Sequence, residues 1–159
     1  MESNIKYLSE QEPMGTAGSL NLLSNKPTEP FLVTNGDVLT AIDYSEVLNF
    51  HKENQSDITI CIREFSSQIP YGVVKIENHQ VTSLEEKPYI SKFINAGIYV
   101  LDPKILNLLT QEDKYVDMTD LLELAIKKGY KVGAFPIHER WQDIGLSENL
   151  KSYIKTNIR

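Results

Sequence analysis

Three short segments of this chain hold the side chains that phosphate chemistry requires. Residues 35–37 and 141–143 each end a β-like run in an aspartate, and residues 85–88 set a lysine beside a glutamate. Two converging carboxylates can hold one divalent cation, and a nearby lysine can neutralise a phosphate. Because positioning and charge neutralisation account for most of the catalysis of phosphoryl and nucleotidyl transfer, these residues predict that class of reaction.

The composition of the chain limits the classes of protein to which it can belong. Its 159 residues suit one domain with a hydrophobic core, and its 41% hydrophobic and 24% charged residues are ordinary for a soluble protein. A net charge of −6 gives no sign of a nucleic-acid surface, and no apolar run is long enough to cross a membrane. Residues 1–4 lack the basic start of a signal peptide, so we expect a cytoplasmic protein. The single cysteine, Cys61, lies in an apolar run that predicts burial.

The pattern of apolar residues predicts an α/β fold with a mixed sheet and no internal domain boundary, so that residues 1–159 form a single domain. Strands are predicted at residues 5–8, 31–34, 57–64, 72–77, 80–85, 95–101 and 132–137, and those at 72–77 and 80–85 are predicted to form an antiparallel hairpin that turns at Asn78-His79. Helices are predicted at residues 15–23 and after Asp43, Pro103, Asp117 and Ser147. The wholly apolar head of residues 31–34 favours a buried strand of a parallel sheet.

The segment Asn35-Gly36-Asp37 allows two interpretations from its residues alone. Asn-Gly is a favoured hairpin turn, and aspartate tolerates turn geometry. Alternatively, an aspartate at the carboxyl end of a parallel strand stands where α/β folds bind ligands. Asp143, taken by itself, favours a turn with a cap over a metal ligand. The residues alone therefore leave the role of Asp37 open and give no metal role to Asp143.

The order of four segments resembles that of the sugar-1-phosphate nucleotidyltransferases, which are the pyrophosphorylases that make nucleotide sugars. The segments are MGTAG at 14–18, NGD at 35–37, EEKP at 85–88 and WQDIG at 141–145. The resemblance implies a Rossmann-like mixed sheet of the nucleotide-diphospho-sugar transferase type. It also implies transfer of a nucleotide from an NTP to a sugar 1-phosphate with release of pyrophosphate, in the service of nucleotide-sugar and polysaccharide biosynthesis.

The amino-acid sequences of these segments are similar to those of mannose-1-phosphate guanylyltransferase-like enzymes. This similarity favours GTP as the nucleotide and a GDP-mannose-like product. Guanylyltransferases for heptose or glucosamine phosphates stay open, and thymidylyl or uridylyl transfer is less favoured. A further alternative from another class is a non-catalytic module that keeps the sugar-phosphate pocket as a binding or regulatory subunit.

The resemblance also implies roles for individual residues. Asp37 and Asp143 would hold Mg²⁺, and Lys87 would contact the sugar phosphate, which makes these three the implied catalytic residues. The substrate-binding residues that it implies are Gly15, Thr16 and Gly18 along the nucleobase, Gly36 beside the metal aspartate, and Gly72, Glu86, Asn95 and Gly97 around the sugar. Glycine suits such positions because it lets the main chain approach a ligand closely.

One part of the family pattern has no counterpart in this chain. Family members begin with a strand and a glycine-rich, arginine-containing loop that grips the nucleotide phosphates, whereas residues 5–8 resemble the third strand. We therefore expect a domain truncated at its N-terminus and, by itself, an inactive fragment of such an enzyme. The two missing strands would lie between residues 5–8 and residues 31–34. Their absence would expose a strand edge, which predicts either that the strand at residues 5–8 is displaced or that a second copy covers the edge, as a homodimer or a strand-swapped oligomer.

Overall fold

The computed structural model describes residues 5–110 and 115–145. Within those ranges the elements are, in order, α1 Gly15–Gly18, β1 Phe31–Thr34, β2 Val38–Thr40, α2 Tyr44–Glu53, β3 Ile58–Gln68, β4 Gly72–Glu77, β5 Gln80–Glu86, β6 Tyr89–Leu101, α3 Met118–Lys127, β7 Val132–Pro136 and β8 Trp141–Asp143. Short 3-10 helices follow α1 at Ser19–Leu22 and β6 at Pro103–Leu108. The helix predicted from Ser147 lies outside the described residues.

The central sheet has four strands in the order β1, β6, β3 and β7. β3 and β7 run parallel, and the other neighbours run antiparallel, which confirms the predicted α/β class with a mixed sheet. The parallel neighbour predicted for residues 31–34 is wrong, because β1 pairs antiparallel with β6 from Phe31 opposite Leu101 to Thr34 opposite Ile98. A strand between two layers of helices is apolar whichever way its neighbour runs, so hydrophobicity alone does not reveal direction.

The strand predicted at residues 5–8 is not formed. This segment has no regular secondary structure, and its side chains are exposed, with Tyr7 89% accessible. A strand is stabilised by hydrogen bonds to a neighbour, and among the described residues none pairs with this segment. Within the described part of the chain, β1 likewise pairs only with β6, so its other edge carries no strand.

Helices cover both faces of the sheet, and the side chains of β6 alternate between them. Tyr99 and Leu101 pack into the core beneath α3 and the 3-10 helix Pro103–Leu108. Ile98 and Val100 pack into the core beneath α2. Cys61 is buried in this second core, as predicted, and burial raises the pKa of its thiol to about 12. The cysteine is therefore an inert packing residue.

The predicted helix starts at Asp43 and Asp117 are confirmed. The Asp43 carboxylate accepts a hydrogen bond from Ser45 N at 2.8 Å at the start of α2. Asp117 directly precedes α3. The helix ends at Lys127, and Gly129, two residues further on, has a φ of +81°. These helices hold the sheet from both sides, and the residues that follow β1 lie at one end of it.

A hairpin projects from the central sheet. β4 and β5 pair antiparallel as predicted, and the turn between them has positive φ values at Asn78 and His79. Nearly all residues of both strands are exposed. In the described part of the chain, no helix is long and apolar enough to span a membrane.

Candidate active site

The short strands β2 and β8 bring the two predicted metal aspartates together. Val38 pairs with Asp143, and Ile144 N donates to the backbone oxygen of Asp37 at 2.9 Å. A Cβ atom built on Gly145 would lie 2.5 Å from Asp37 Oδ2 and 3.1 Å from Asp143 Oδ1. The two carboxylates therefore face the same small space beside Gly145, although 106 residues separate them in the sequence.

The two strands on either side of residues 35–37 do not form a hairpin with each other, because β1 pairs with β6 and β2 pairs with β8. Residues 36–37 form a turn where the chain leaves the central sheet for the small β2–β8 sheet. Asp37 lies just beyond the carboxyl end of β1, although the neighbour of β1 is antiparallel and not parallel. This geometry is compatible with both interpretations of the segment, a turn and a ligand-binding position.

The donor set of this pair fits Mg²⁺. Asp37 and Asp143 are half-buried carboxylates, and Gly145 N donates to Asp143 Oδ1 at 2.8 Å, which orients that group. Among the described residues, no cluster of three or more His, Cys, Asp or Glu side chains forms a fuller metal cage. Mg²⁺ is commonly held by one or two carboxylates, with water and substrate phosphates completing the shell.

An open cleft of about 420 Å³ begins at Asp37. Its lining residues are Gly15, Thr16, Ser19, Val33, Thr34, Asn35, Gly36 and Asp37. The cleft thus joins four of the predicted site residues, from α1 and from the end of β1. Sequence reasoning assigned no role to Ser19, Val33, Thr34 or Asn35, although Ser19 adjoins Gly18 and Asn35 adjoins Gly36.

The residues of α1 are held by the start of α3. Gly15 has a φ of +79°, and a Cβ there would lie 2.5 Å from Val116 O. The Thr16 hydroxyl accepts a hydrogen bond from Met118 N at 2.7 Å. Gly18 is buried, a Cβ there would lie 2.9 Å from Met14 Cβ, and it does not line the cleft. The structure therefore gives Gly18 a packing position, while Gly15 and Thr16 border the open space.

Three of the predicted sugar-site residues lie together at the base of the hairpin. Gly72 pairs with Glu86 across β4 and β5, and a Cβ on Gly72 would lie 3.0 Å from Glu86 Oε2. Lys87 follows at an exposed position, and its backbone N–H donates to Tyr71 O at 3.3 Å. Pro88 is expected to hold Lys87 in an extended conformation, but this is wrong, because Lys87 has a φ of +50°. The tight connection from β5 to β6 imposes this left-handed conformation.

The remaining predicted residues lie at a bulge of β6, with Gly97 inside it and Asn95, which pairs with Ile62, at its edge. Gly97 has a φ of +71°, and a Cβ there would lie 2.9 Å from Asn35 Nδ2. Both polar atoms of the Asn95 amide are engaged within the chain: Oδ1 accepts from Gly97 N at 2.9 Å, and Nδ2 donates to Tyr99 Oη at 2.7 Å. Sequence reasoning did not anticipate the Tyr99 contact, because it joins residues of one strand across an irregular register.

Comparison with known proteins gives a consistent family. A family model described as nucleotidyl transferase matches residues 1–158. A mannose-1-phosphate guanyltransferase of Yarrowia lipolytica is 31% identical over 156 residues, covering 94% of this chain and 42% of the relative. A probable mannose-1-phosphate guanylyltransferase 3 of Arabidopsis thaliana is 34% identical over 153 residues, covering 91% of this chain and 46% of the relative. The chain therefore spans less than half of the length of these relatives.

A solved structure shows the same fold. The crystal structure of HddC from Yersinia pseudotuberculosis complexed with GMP-PN superposes with a TM-score of 0.62 at 25% identity. The superposition covers 92% of this chain and 64% of that structure's chain. The nucleotide-diphospho-sugar transferase type of fold expected from the sequence is thereby confirmed.

Proposed function

The chain belongs to the nucleotidyl transferase family, and from that premise we propose that its site serves the transfer of a nucleotide from an NTP to a sugar 1-phosphate. The observation that carries this proposal is the convergence of Asp37 and Asp143 beside Gly145, at the end of the cleft bordered by Gly15 and Thr16. Such a pair supplies the anionic cation ligands that nucleotidyl transfer uses. The cleft offers room for a nucleoside next to them.

In the proposed reaction, an oxygen of the sugar phosphate attacks the α-phosphorus of the NTP, and the bond from that phosphorus to the pyrophosphate oxygen breaks. Asp37 and Asp143 would hold Mg²⁺, which supplies charge neutralisation for the phosphate oxygens when bound. Lys87 would hold the sugar phosphate in line, and Glu86 beside Gly72 would accept hydrogen bonds from sugar hydroxyls. The reaction requires no protein nucleophile, which agrees with the inert Cys61.

We further propose GTP and a mannose-1-phosphate-like sugar as the substrates. Two observations support this choice. The two relatives described above are named as mannose-1-phosphate guanyltransferases, and the HddC structure was obtained with GMP-PN. Small side chains at Gly15 and Thr16 leave room for a purine ring in the cleft. A cytoplasmic location follows from the proposed substrates.

A second candidate is a non-catalytic module that binds a sugar phosphate. The observation in its favour is the composition of the cleft, since none of its described lining residues is a lysine or arginine that would neutralise a triphosphate. In either case, we propose that the unpaired edge of β1 is covered by a second copy of the chain, as a homodimer or a strand-swapped oligomer.

The decisive experiment measures pyrophosphate release by this chain with Mg²⁺ across a grid of nucleoside triphosphates and sugar 1-phosphates. Because we expect the chain by itself to be an inactive fragment, the assay is also run with the missing N-terminal strand and glycine-rich loop supplied from a relative. Asp37→Asn and Asp143→Asn keep the side-chain shape but remove the charge, so we expect each to lower the rate of the active form by at least ~100-fold. Glu123→Gln, at an exposed position of α3, is the matched control. A chain that releases no pyrophosphate in either form, yet binds mannose 1-phosphate in a calorimeter, would support the non-catalytic module instead.

A further inference from the structure

We propose that Asn95 is a positioning residue, which holds the β6 bulge that anchors the segments of both metal aspartates. The inference rests on the proposed function only in taking cation binding as the role of Asp37 and Asp143. It concerns a role different from the sugar contact that the family resemblance implies for this asparagine. Four hydrogen bonds and the register of β6 carry it.

Two consecutive carbonyl groups of β6 hold the two aspartate segments. The Ala96 oxygen accepts a hydrogen bond from Trp141 Nε1 at 2.8 Å. The Gly97 oxygen accepts one from Asn35 N at 2.8 Å. Each donor residue stands two positions before an aspartate of the pair, since Trp141 precedes Asp143 and Asn35 precedes Asp37. A shift of this one bulge therefore displaces both carboxylates.

The bulge interrupts the regular pairing of β6 with β3. Ile60 of β3 pairs with Tyr99 of β6, but Ile62 pairs with Asn95, so three residues of β6 stand opposite one residue of β3. Such a bulge interrupts the ladder of backbone hydrogen bonds. Gly97 in addition adopts a φ of +71°, a conformation that the strand itself does not favour. The bulge therefore needs support from a side chain.

Asn95 supplies that support from the edge of the bulge, where it pairs with Ile62 of β3. Its Oδ1 accepts from the N–H of Gly97, and its Nδ2 donates to the hydroxyl of Tyr99. Tyr99 is only 2% accessible and belongs to the core beneath α3, so it is a fixed reference point. The amide thus ties the irregular residues to the regular, buried part of the same strand.

A positional support of this kind is needed because two nearby carboxylates repel each other until a cation lies between them. Asp37 and Asp143 face one space beside Gly145, and β2 and β8, which carry them, pair over only three residues each. The anchors at Ala96 and Gly97 oppose their separation. We therefore expect loss of the Asn95 amide to weaken cation binding without removing any cation ligand.

The test uses the single tryptophan of the chain as a reporter. Because Trp141 is the only tryptophan, its indole N–H gives one resolved signal in a ¹⁵N-edited NMR spectrum, and its hydrogen-exchange rate reports on the bond to Ala96 O. In Asn95→Ala we expect this exchange to accelerate about tenfold, the effect of one lost hydrogen bond. Affinity for Mn²⁺, followed by electron paramagnetic resonance, should weaken by a similar factor.

Two further variants separate positioning from a general structural role. Asn95→Asp keeps acceptors for both Gly97 N–H and the Tyr99 hydroxyl, so it should restore the slow indole exchange. Ser91→Ala, at an exposed position of β6 remote from the bulge, is the matched control and should change neither readout. If Asn95→Ala does not fold, Tyr99→Phe removes one end of the support and should accelerate indole exchange in the same direction.

The outcomes distinguish this inference from the proposed function. Unchanged indole exchange and unchanged Mn²⁺ affinity in Asn95→Ala would overturn the positioning role. Weaker binding of mannose 1-phosphate alone would overturn it in favour of a direct sugar contact. If the unaltered chain binds no Mn²⁺, the metal site of the proposed function fails, and the indole exchange rate then decides the positioning role by itself.

Discussion

At the scale of single residues, the site depends on backbone positions that leave space for carboxylate oxygens. Gly145 is the clearest case, since any side chain there would enter the space that Asp37 Oδ2 and Asp143 Oδ1 share. Gly97 is a second case, because its missing side chain makes room for the Asn35 amide. In both places the missing side chain leaves room for a neighbouring polar group, while the backbone of the glycine makes hydrogen bonds of its own.

Gly145→Ala tests this directly. The new methyl group would lie 2.5 Å from Asp37 Oδ2 and would displace that oxygen from the cation. Because the loss of one ligand should weaken binding at least as much as the loss of one hydrogen bond, we expect the affinity for Mn²⁺ to fall by about tenfold or more. Gly145 is exposed, so the unfolding midpoint in urea should change little. Calorimetric titration with Mn²⁺ gives the affinity, and an unaltered value would contradict the assigned geometry.

His51 provides a test of stability against pH. It is buried against β3, where its Nδ1 lies 2.9 Å from Thr59 Oγ1, and burial lowers its pKa below 6.5. Asp57 and Asp102 oppose this shift, and neighbouring lysines add to it. The unfolded chain therefore binds a proton at His51 more readily than the folded chain does. As a result, the contribution of neutral His51 to the free energy of unfolding is complete above about pH 6.5, and it is lost as the pH falls through the pKa of His51 in the folded chain.

We expect the free energy of unfolding to decrease between pH 7.5 and 5.5, and His51→Gln to make that decrease shallower. Urea titrations at several pH values measure it. His79→Gln, at an exposed position in the β4–β5 turn, is the matched control. An identical slope in His51→Gln and in the unaltered chain would show that another group governs the pH dependence.

At the scale of elements, β1 connects the fold to the site and lies at an edge of the central sheet. Among the described strands it pairs only with β6, and its carboxyl end leads into Asp37. In an antiparallel pair, the N–H groups of consecutive residues point to opposite sides of the strand. Because Asn35 N donates to Gly97 O of β6, the N–H of Thr34 points away from β6. That N–H is available to a strand from a second copy.

Thr34→Pro removes this donor and leaves the hydrogen bonds to β6 in place. If a second copy covers the edge, the dissociation constant of the dimer should rise about tenfold, the equivalent of one backbone hydrogen bond. Sedimentation velocity over a range of concentrations measures it, with Thr34→Val as the control that keeps the N–H. A single monomeric boundary at every concentration would refute the proposed oligomer.

At the scale of the whole molecule, stability is distributed unevenly. The two cores hold the inner halves of β3 and β6 between helices, whereas the β4–β5 hairpin is exposed on nearly every residue. Its exposed apolar side chains include Val74, Ile76, Val81 and Leu84. An isolated two-stranded hairpin has little stability of its own.

We therefore expect the amides of β4 and β5 to exchange with deuterium on the order of 100-fold faster than those of β6 residues 98–101. Hydrogen exchange followed by mass spectrometry measures this difference. The buried end of β6 is the internal reference, because its side chains are enclosed by both cores. Equal protection of the two regions would mean that a partner covers the hairpin.

Much of the local structure follows from neighbouring residues in the sequence. The Asn78-His79 turn, the helix start at Asp43 and the burial of Cys61 were all predictable, because turns, caps and apolar runs depend on interactions over a few residues. The strand at residues 5–8 and the conformation of Lys87 were not, since each depends on whether and where a neighbouring strand exists.

For the site, the sequence determined which segments resemble those of the family and which residues that resemblance implies, whereas the residue types alone left the role of Asp37 open and indicated no metal role for Asp143. Only the tertiary structure decided that Asp37 and Asp143 meet beside Gly145, and that the Asn95 amide is engaged by Gly97 and Tyr99. The physical reason is that Asp37 and Asp143, 106 positions apart, meet through the pairing of β2 with β8, and that the Asn95 contacts depend on a bulge in the pairing of β6 with β3. Register is set by the packing of the whole sheet and leaves no signal in a local segment.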